Sequence, residues 1–144
     1  MRILIDGDAC PNRKEVIDIA KQYHVEVIVF VDYAHMLNDD CQIIQCDVGR
    51  DSVDMMIMNS AQSQDLVITQ DYGLASLLLM KNVKVLHVSG KMITHENIDE
   101  LLTSRYLSAM QRKQNKHLKG PSKRTKEVEN DFLKQLQYLI ETAI

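Results

Sequence analysis

The sequence predicts an α/β protein with three layers, α/β/α, in which helices cover both faces of a mostly parallel central sheet. The chain has 144 residues, 45% of them apolar, so it is long and apolar enough to bury one core. Short apolar runs rich in β-branched residues alternate with segments in which apolar residues recur at helical spacing. Strands that alternate with helices in this way favour a parallel sheet.

Five short apolar runs predict the strands of this sheet. The first run ends at an acid, and the second is dense in β-branched residues, which favour extended backbone. The third is expected to form only a short strand. The predicted strands cover residues 2–6, 25–31, 42–47, 65–69 and 83–88. The polar residues 32–41 are predicted to form a loop.

Helices are predicted after most of these strands. Pro11 suits the first position of a helix that continues to about His24, and residues 51–62 and 73–80 supply two more. Thr94 suits the N-cap of a fourth helix. Five apolar residues share one face of that helix: Ile98, Leu101, Leu102, Tyr106 and Met110.

A final helix is predicted after a linker-like break at residues 116–123, which contains Gly120-Pro121. Thr125 is expected to open it. Its inward-facing residues are predicted to be Phe132, Leu136, Leu139, Ile140 and Ala143. Because this helix follows the last strand, we expect it to dock either on the sheet or on a second copy of the chain. A homo-oligomer is therefore one of the expectations.

We expect a single domain over residues 1–144. It would have a sheet core over 1–92 that carries an acidic cluster, C-terminal helices over 93–144 and a basic linker over 111–126. Apolar runs are too short to span a membrane, and the acid at position 6 interrupts any signal peptide. The three cysteines, an odd number, favour a reducing cytoplasm over a disulfide scaffold.

Charge is distributed unevenly along the chain. The net charge is -3, yet residues 1–100 hold 8 Lys and Arg against 16 acids, and residues 101–126 hold 8 Lys and Arg without an acid. A basic stretch beside an acidic body predicts contact with a polyanion, although a solvated helix face gives the same pattern. The predicted nucleic-acid contacts are Arg105, Arg112, Lys113, Lys116, Lys119, Lys123 and Arg124.

Several acids fall where the carboxyl ends of parallel strands meet, which is where such sheets bind ligands. Like charges this close repel each other unless a cation, a basic neighbour or a raised pKa offsets them. Carboxylate oxygens suit Mg²⁺ or Mn²⁺, and such clusters activate water against phosphodiesters. The predicted metal ligands are Asp6, Asp8, Asp51, Asp54 and Asp71, of which Asp6, Asp54 and Asp71 are the predicted catalytic residues.

Each acid also has a structural interpretation. Asp51 and Asp54 fit a capping box, and Asp71 fits the N-cap of the following helix. Asp8 would complement a helix dipole. Cys10 precedes a predicted helix N-terminus, which lowers a thiol pKa, but no histidine base is evident, so we favour a structural role for it. The eight methionines are expected to pack in the core.

Particular segments resemble a known family. They are Ile5-Asp6-Gly7-Asp8-Ala9-Cys10-Pro11-Asn12, Asp65-Leu66-Val67-Ile68-Thr69-Gln70-Asp71, Gly73-Leu74-Ala75, Gly120-Pro121 and Asp131-Phe132. In this order they resemble the YaiI/YqxD family of bacterial proteins, over essentially the whole chain. That family is grouped with PIN-like domains, which are metal-dependent ribonucleases with a parallel sheet and a carboxylate cluster.

The resemblance implies a PIN-like fold and roles for Asp6, for Asp54 or Asp51, and for Asp71. PIN nucleases often carry a further acid after the next strand, but Val88-Ser89-Gly90-Lys91 contains none. The sequence also has Lys119-Gly120 where relatives are expected to have two glycines. Because a fold can persist without its activity, these departures leave the chemistry open.

Three functions are therefore considered. The first is a Mg²⁺- or Mn²⁺-dependent nuclease acting on RNA, with the basic block holding the phosphate backbone. The second is a non-catalytic nucleic-acid-binding module with a structural metal site. The third is a phosphatase of the haloacid-dehalogenase type, because Asp6-Gly7-Asp8 resembles the opening motif of those enzymes. Against the third, Cys10 stands where they have Thr or Val, and no room exists for a cap domain.

Overall fold

A computed structural model describes residues 1–7, 10–32, 41–46, 52–114 and 124–143. Short strands alternate with helices along most of the chain, and the last two helices follow the sheet. The strands are β1 (Arg2–Asp6), β2 (Glu26–Asp32), β3 (Gln42–Cys46), β4 (Leu66–Ile68), β5 (Lys84–Leu86) and β6 (Met92–Ile93). The helices are α1 (Arg13–Gln22), α2 (Ser52–Ser60), α3 (Tyr72–Met80), α4 (Ile98–Gln114) and α5 (Lys126–Ala143).

The strands form one six-stranded sheet in the order β3-β2-β1-β4-β5-β6. Pairing is parallel from β3 to β5, and β6 runs antiparallel to β5. The predicted α/β class with a mostly parallel sheet is therefore confirmed. Because β1 and β4 are neighbours while β2 lies on the far side of β1, the chain reverses its direction of winding between β1 and β4.

Two apolar clusters cover the two faces of the sheet. Along β2, Val27, Val29 and Val31 point into one cluster, and Ile28 and Phe30 point into the other. This alternation is the period of two that strand geometry imposes. The first cluster is closed by α1 and α5, and the second by α2, α3 and the start of α4. Burial on both faces explains why the strands are apolar throughout.

The last helix docks on its own sheet. Phe132, Leu136 and Ile140 of α5 are fully buried beside α1 and the central strands. The alternative of docking these residues on a second copy is therefore wrong for this face, whereas Ala143, also predicted inward, is exposed. Val128 N–H donates to Thr125 Oγ1 at 3.2 Å, which confirms that Thr125 opens the helix.

Several boundaries differ from the predictions. Pro11 is not the first helical residue, because α1 begins at Arg13 after a turn. Strand β6 was not predicted, since two residues are too short a run to show periodicity. Helix α4 continues to Gln114, so the predicted linker over 111–126 begins as helix. The predicted inward face of α4 fails beyond its second turn, where Tyr106 is 64% exposed.

No helix in the described ranges is both long and apolar enough to cross a membrane. The expectations of a reducing cytoplasm and of a basic linker at 115–123 stay predictions, and the latter residues lie outside the described part of the chain.

A partly buried ion pair joins the first residue of β1 to the residue that precedes β4. Arg2 donates to both carboxylate oxygens of Asp65, at 3.1 and 2.6 Å, and Asp65 is fully buried. Arg2 also donates to Ser60 O at 3.0 Å, and Gln62 N–H donates to Asp65 at 2.9 Å. Burial alone would raise the pKa of Asp65, but the hydrogen bonds from Arg2 and Gln62 and the charge of Arg2 outweigh it and lower this pKa.

We expect Asp65→Asn to lower the free energy of unfolding at neutral pH by about 3 kcal/mol, because it leaves Arg2 without its charge partner. The pKa of Asp65 is lowered on folding, so its contribution is present above the ordinary value of 3.8 and is lost as the pH falls below it. Urea unfolding of both proteins from pH 7 to pH 3 tests this. A difference that does not shrink with acid would contradict it.

Candidate functional site

Two polar side chains meet where the winding of the sheet reverses. Asp6 is the last residue of β1, and Thr69 follows β4, its neighbour on that side. Thr69 Oγ1 donates to Asp6 Oδ2 at 3.2 Å, and Asp6 is only 8% exposed. Parallel sheets bind ligands at the carboxyl ends of the strands on either side of such a switch point. Asp6 therefore occupies the position that sequence reasoning assigned to it.

Asp71 is linked to this pair through the same threonine. Its backbone N–H donates to Thr69 Oγ1 at 3.1 Å. Its Oδ1 accepts from Leu74 N–H at 3.1 Å, so Asp71 is the N-cap of α3 and the structural interpretation of this residue is confirmed. Its other oxygen, Oδ2, has no hydrogen-bond partner within the described residues. The cap bond fixes the carboxylate of Asp71 in one orientation. The capping role of Asp71 is therefore compatible with its predicted role as a metal ligand.

Asp54 lies in the first turn of α2 and faces a groove that Asp71 also lines. The groove runs between α2 and α3, with a volume of about 560 Å³. Its remaining lining is largely apolar and includes Met55 and Leu77, which are 63% and 49% exposed. The expectation that the methionines pack in the core is therefore wrong for Met55, and also for Met56, Met80 and Met110, which are exposed. We call this the α2–α3 groove.

The structure brings the described acids together only in part. Asp6 is connected to Asp71 through Thr69, and Asp71 shares the α2–α3 groove with Asp54. Among residues 1–7, 10–32, 41–46, 52–114 and 124–143, no three acidic, histidine or cysteine side chains form a group that could hold a metal ion. Asp8 and Asp51 lie outside the described residues. The five-acid metal site stays a prediction.

Gly7 is required by the close approach of β2 to the loop that leaves β1. Its N–H donates to Phe30 O at 2.8 Å. A Cβ at this position would lie 2.6 Å from Val31 Cγ1 and 2.9 Å from Phe30 O, so a larger residue would displace the chain next to Asp6. Arg13 donates to Gly7 O at 2.9 Å from the start of α1. Sequence reasoning quoted Gly7 only as part of a motif.

Asn12 is a second residue that sequence reasoning missed. It is buried, but its side chain does not cap α1. It accepts from Arg124 Nε at 2.9 Å and donates to Glu129, so it ties the start of α1 to α5. The only signal in the sequence is a polar residue at a helix start, which also describes an ordinary cap.

The predicted basic contacts that the structure describes lie in two places, near His87 and on the last turns of α4. Arg105 donates to Gln70 O at 3.4 Å and stands beside Asp71. Arg124 packs against Asn12, whereas Arg112 and Lys113 are exposed in the last turns of α4. The other predicted contacts lie outside the described residues: Lys116, Lys119 and Lys123.

The Cys10 thiol is less acidic than a cysteine near a helix N-terminus is expected to be. It is 3% exposed, and burial raises the pKa of the Cys10 thiol to about 11. The backbone N–H of Asn12 and the charges of Arg13 and Arg124 oppose this rise without overcoming it. Desolvation dominates because the thiol lies inside the first apolar cluster. The structural role favoured for Cys10 agrees with this placement.

Together, these features define an α/β protein with a buried carboxylate at the switch point of a mostly parallel sheet. The family described as "Uncharacterized BCR, YaiI/YqxD family" matches residues 4–142, and the chain belongs to this family. A UPF0178 protein of Natranaerobius thermophilus is 43% identical over 97% of this chain and 96% of its own length. One of Alkaliphilus oremlandii is 42% identical over 100% of this chain and 94% of its own length.

Among solved structures, Rae1 (YacP) from Bacillus subtilis is similar over 100% of both chains, at 18% identity and a TM-score of 0.42. A likeness of this degree supports no conclusion about function. The PIN-like grouping accordingly stays what the sequence resemblance implies.

We expect Cys10 to resist alkylation in the folded protein. At pH 8 a thiol with a pKa of about 11 is ionised in roughly one molecule in a thousand, and little of the side chain is exposed. Iodoacetamide should therefore modify the half-buried Cys41 well before Cys10, as measured by peptide mass spectrometry. Denatured protein, in which all three cysteines should react alike, is the control. Fast labelling of Cys10 would contradict the assignment.

Proposed function

We propose that this protein is a nuclease that depends on Mg²⁺ or Mn²⁺ and cleaves RNA at the edge formed by Asp6, Asp54 and Asp71. The observation that carries the proposal is the position of Asp6. Its carboxylate lies at the carboxyl end of the central strand, at the switch point, in contact with the hydroxyl group that also holds Asp71.

The donor set suits a hard divalent cation. Mg²⁺ is commonly held by one or two carboxylates, with water and substrate phosphate completing its ligands, so three converging acids are not required. Asp6 and Asp71 would be the first ligands, and Asp54 would approach across the α2–α3 groove. When bound, such an ion supplies a water of lowered pKa and neutralises charge on the scissile phosphate.

The chain's own residues would then position the substrate. The hydrogen bond from Thr69 orients Asp6, and the cap bond to Leu74 orients Asp71 so that Oδ2 is left for a ligand. Arg105 lies beside Asp71 and would hold the phosphate backbone. The α2–α3 groove has the volume of an ordinary ligand site.

The non-catalytic nucleic-acid-binding module with a structural metal site is the second candidate. It is favoured by the use of Asp71 as a helix cap, which gives this acid a purpose without any metal. The phosphatase alternative stays a prediction, because Asp8 lies outside the described residues and nothing in the described site favours a nucleophilic Asp6.

Cleavage of end-labelled single-stranded and hairpin RNA tests the proposal, with Mg²⁺, Mn²⁺ or chelator present. We expect metal-dependent cleavage that falls at least about 100-fold in Asp6→Asn and in Asp71→Asn, since each removes a charged ligand. Asn is as good an N-cap as Asp, so Asp71→Asn should remain folded. Asp18→Asn, an exposed acid on α1, is the matched control and should cleave normally.

Two results would overturn the proposal. One is cleavage that survives both substitutions, which would place the chemistry elsewhere. The other is RNA binding without turnover in either metal by folded protein, which would favour the binding module. Calorimetric titration with Mn²⁺ separates the site from the reaction, because lost binding in Asp6→Asn would support the metal ligands independently of cleavage.

A further inference from the structure

Beside the acidic edge, three side chains from different elements contact one another in series. The rings of Tyr72 and His87 lie 5.5 Å apart between centroids, at an interplanar angle of 30°. The guanidinium carbon of Arg105 lies 5.7 Å from the centroid of the Tyr72 ring, a cation–π distance. Arg105 also donates to Gln70 O. The start of α3, the end of β5 and α4 are thereby held together next to Asp71.

Arg124 reaches the same place from the start of α5. Its Nη1 donates to Val88 O at 2.6 Å and its Nε donates to Asn12 at 2.9 Å. Its guanidinium carbon lies 5.4 Å from the centroid of the Phe132 ring. The remaining nitrogen, Nη2, is buried and has no hydrogen-bond partner within the described residues. A buried donor without an acceptor is energetically costly, so this nitrogen leaves the charge of Arg124 incompletely compensated.

His87 adds an uncharged donor between these cations. Ser89 N–H donates to His87 Nδ1 at 3.1 Å, so the neutral ring carries its proton on Nε2. Burial lowers the pKa of His87, and three nearby positive charges lower it further. These charges belong to Arg124, Lys91 and Arg105.

The positive charges around His87 are not neutralised by carboxylates. The ion pair of Arg2 with Asp65 lies at the opposite edge of the sheet, and Lys91, Arg105 and Arg124 have no ion-pair partner within the described residues. Glu129 approaches Arg124 only through Asn12, which separates the two. Cations gathered this closely repel one another where nearby carboxylates do not pair with them, and a bound anion reduces that repulsion.

We propose that a phosphodiester group of RNA binds at a cationic site beside Asp71 that consists of Lys91, His87, Arg105 and Arg124. The site would hold a phosphate that flanks the one at the acidic edge, with Arg105, Lys91 and His87 Nε2 donating to its oxygens and Arg124 contributing positive charge. This inference rests on the proposed RNA substrate but not on cleavage, so it can be tested in the absence of any metal.

The test measures affinity for fluorescein-labelled single-stranded RNA in chelator, from 50 to 300 mM KCl. We expect Arg105→Gln and Lys91→Gln each to weaken binding about tenfold at low salt, the equivalent of one hydrogen bond to a charged group. Each should also reduce the slope of log K against log salt by about 0.7, the value for one phosphate contact on a single strand. Lys84→Gln removes the same charge at the other end of β5 and is the matched control.

His87→Phe tests the uncharged donor, because it keeps a ring against Tyr72 and removes Nε2. Weaker binding with an unchanged salt slope is expected, since no charge is lost. Inorganic phosphate, titrated alone, distinguishes a free anion from RNA. If the substitutions weaken phosphate binding but leave RNA affinity within twofold of wild type, the site serves a free anion and the inference is wrong.

An effect of Lys84→Gln equal to those of Arg105→Gln and Lys91→Gln would also overturn it, since the contact would then be general attraction. The inference and the nuclease proposal fail separately. RNA binding in chelator that depends on Arg105 and Lys91, without cleavage in any metal, would support the cationic site and refute the nuclease.

Discussion

The pairing of β1 with β4 is the constraint on which the rest of the molecule depends. β1 is hydrogen-bonded to a strand on each side, and its central residues Ile3, Leu4 and Ile5 are fully buried. Polar side chains join these two strands at both ends. Arg2 meets Asp65 where the strands begin, and Asp6 meets Thr69 where they end. The other strands extend the sheet from this pair, with β2 and β3 on the side of β1 and β5 and β6 on the side of β4.

The two ends of the pair differ in what they leave for a ligand. At the first end Arg2 donates to Asp65 and to Ser60 O, and Gln62 N–H also donates to Asp65. Asp65 is wholly enclosed. At the other end Asp6 keeps a small exposed fraction at the switch point, and the groove beside Asp71 is open. The same kind of residue is therefore fully enclosed at one edge and slightly exposed at the other.

Negative and positive side chains lie on different elements around that open edge, which suits the proposed binding of a phosphate polymer. The carboxylates lie on the strand ends and on α2, and the cations come from α4, from the turn after β5 and from the start of α5. In the proposed function, a metal ion would bind the carboxylates and its phosphate would bind the cations. The exposed second half of α4 extends the basic side of this surface through Arg112 and Lys113.

The sequence by itself determined the order and type of most elements, because short β-branched runs and helical periodicity are local properties. It also placed Asp6 at the carboxyl end of β1, the edge at which parallel sheets bind ligands, while the role of Asp6 there stays a prediction. It could not supply β6, the start of α1 at Arg13 or the exposure of Tyr106, because these depend on where the chain meets the sheet. Only the tertiary structure decided that Asp65 is paired with Arg2, that Thr69 joins Asp6 to Asp71, and that Arg124 lies beside His87. Arg2 is 63 positions from Asp65, Asp6 is 63 from Thr69, and Arg124 is 36 from Val88, and contacts at such distances follow from packing rather than from local pattern.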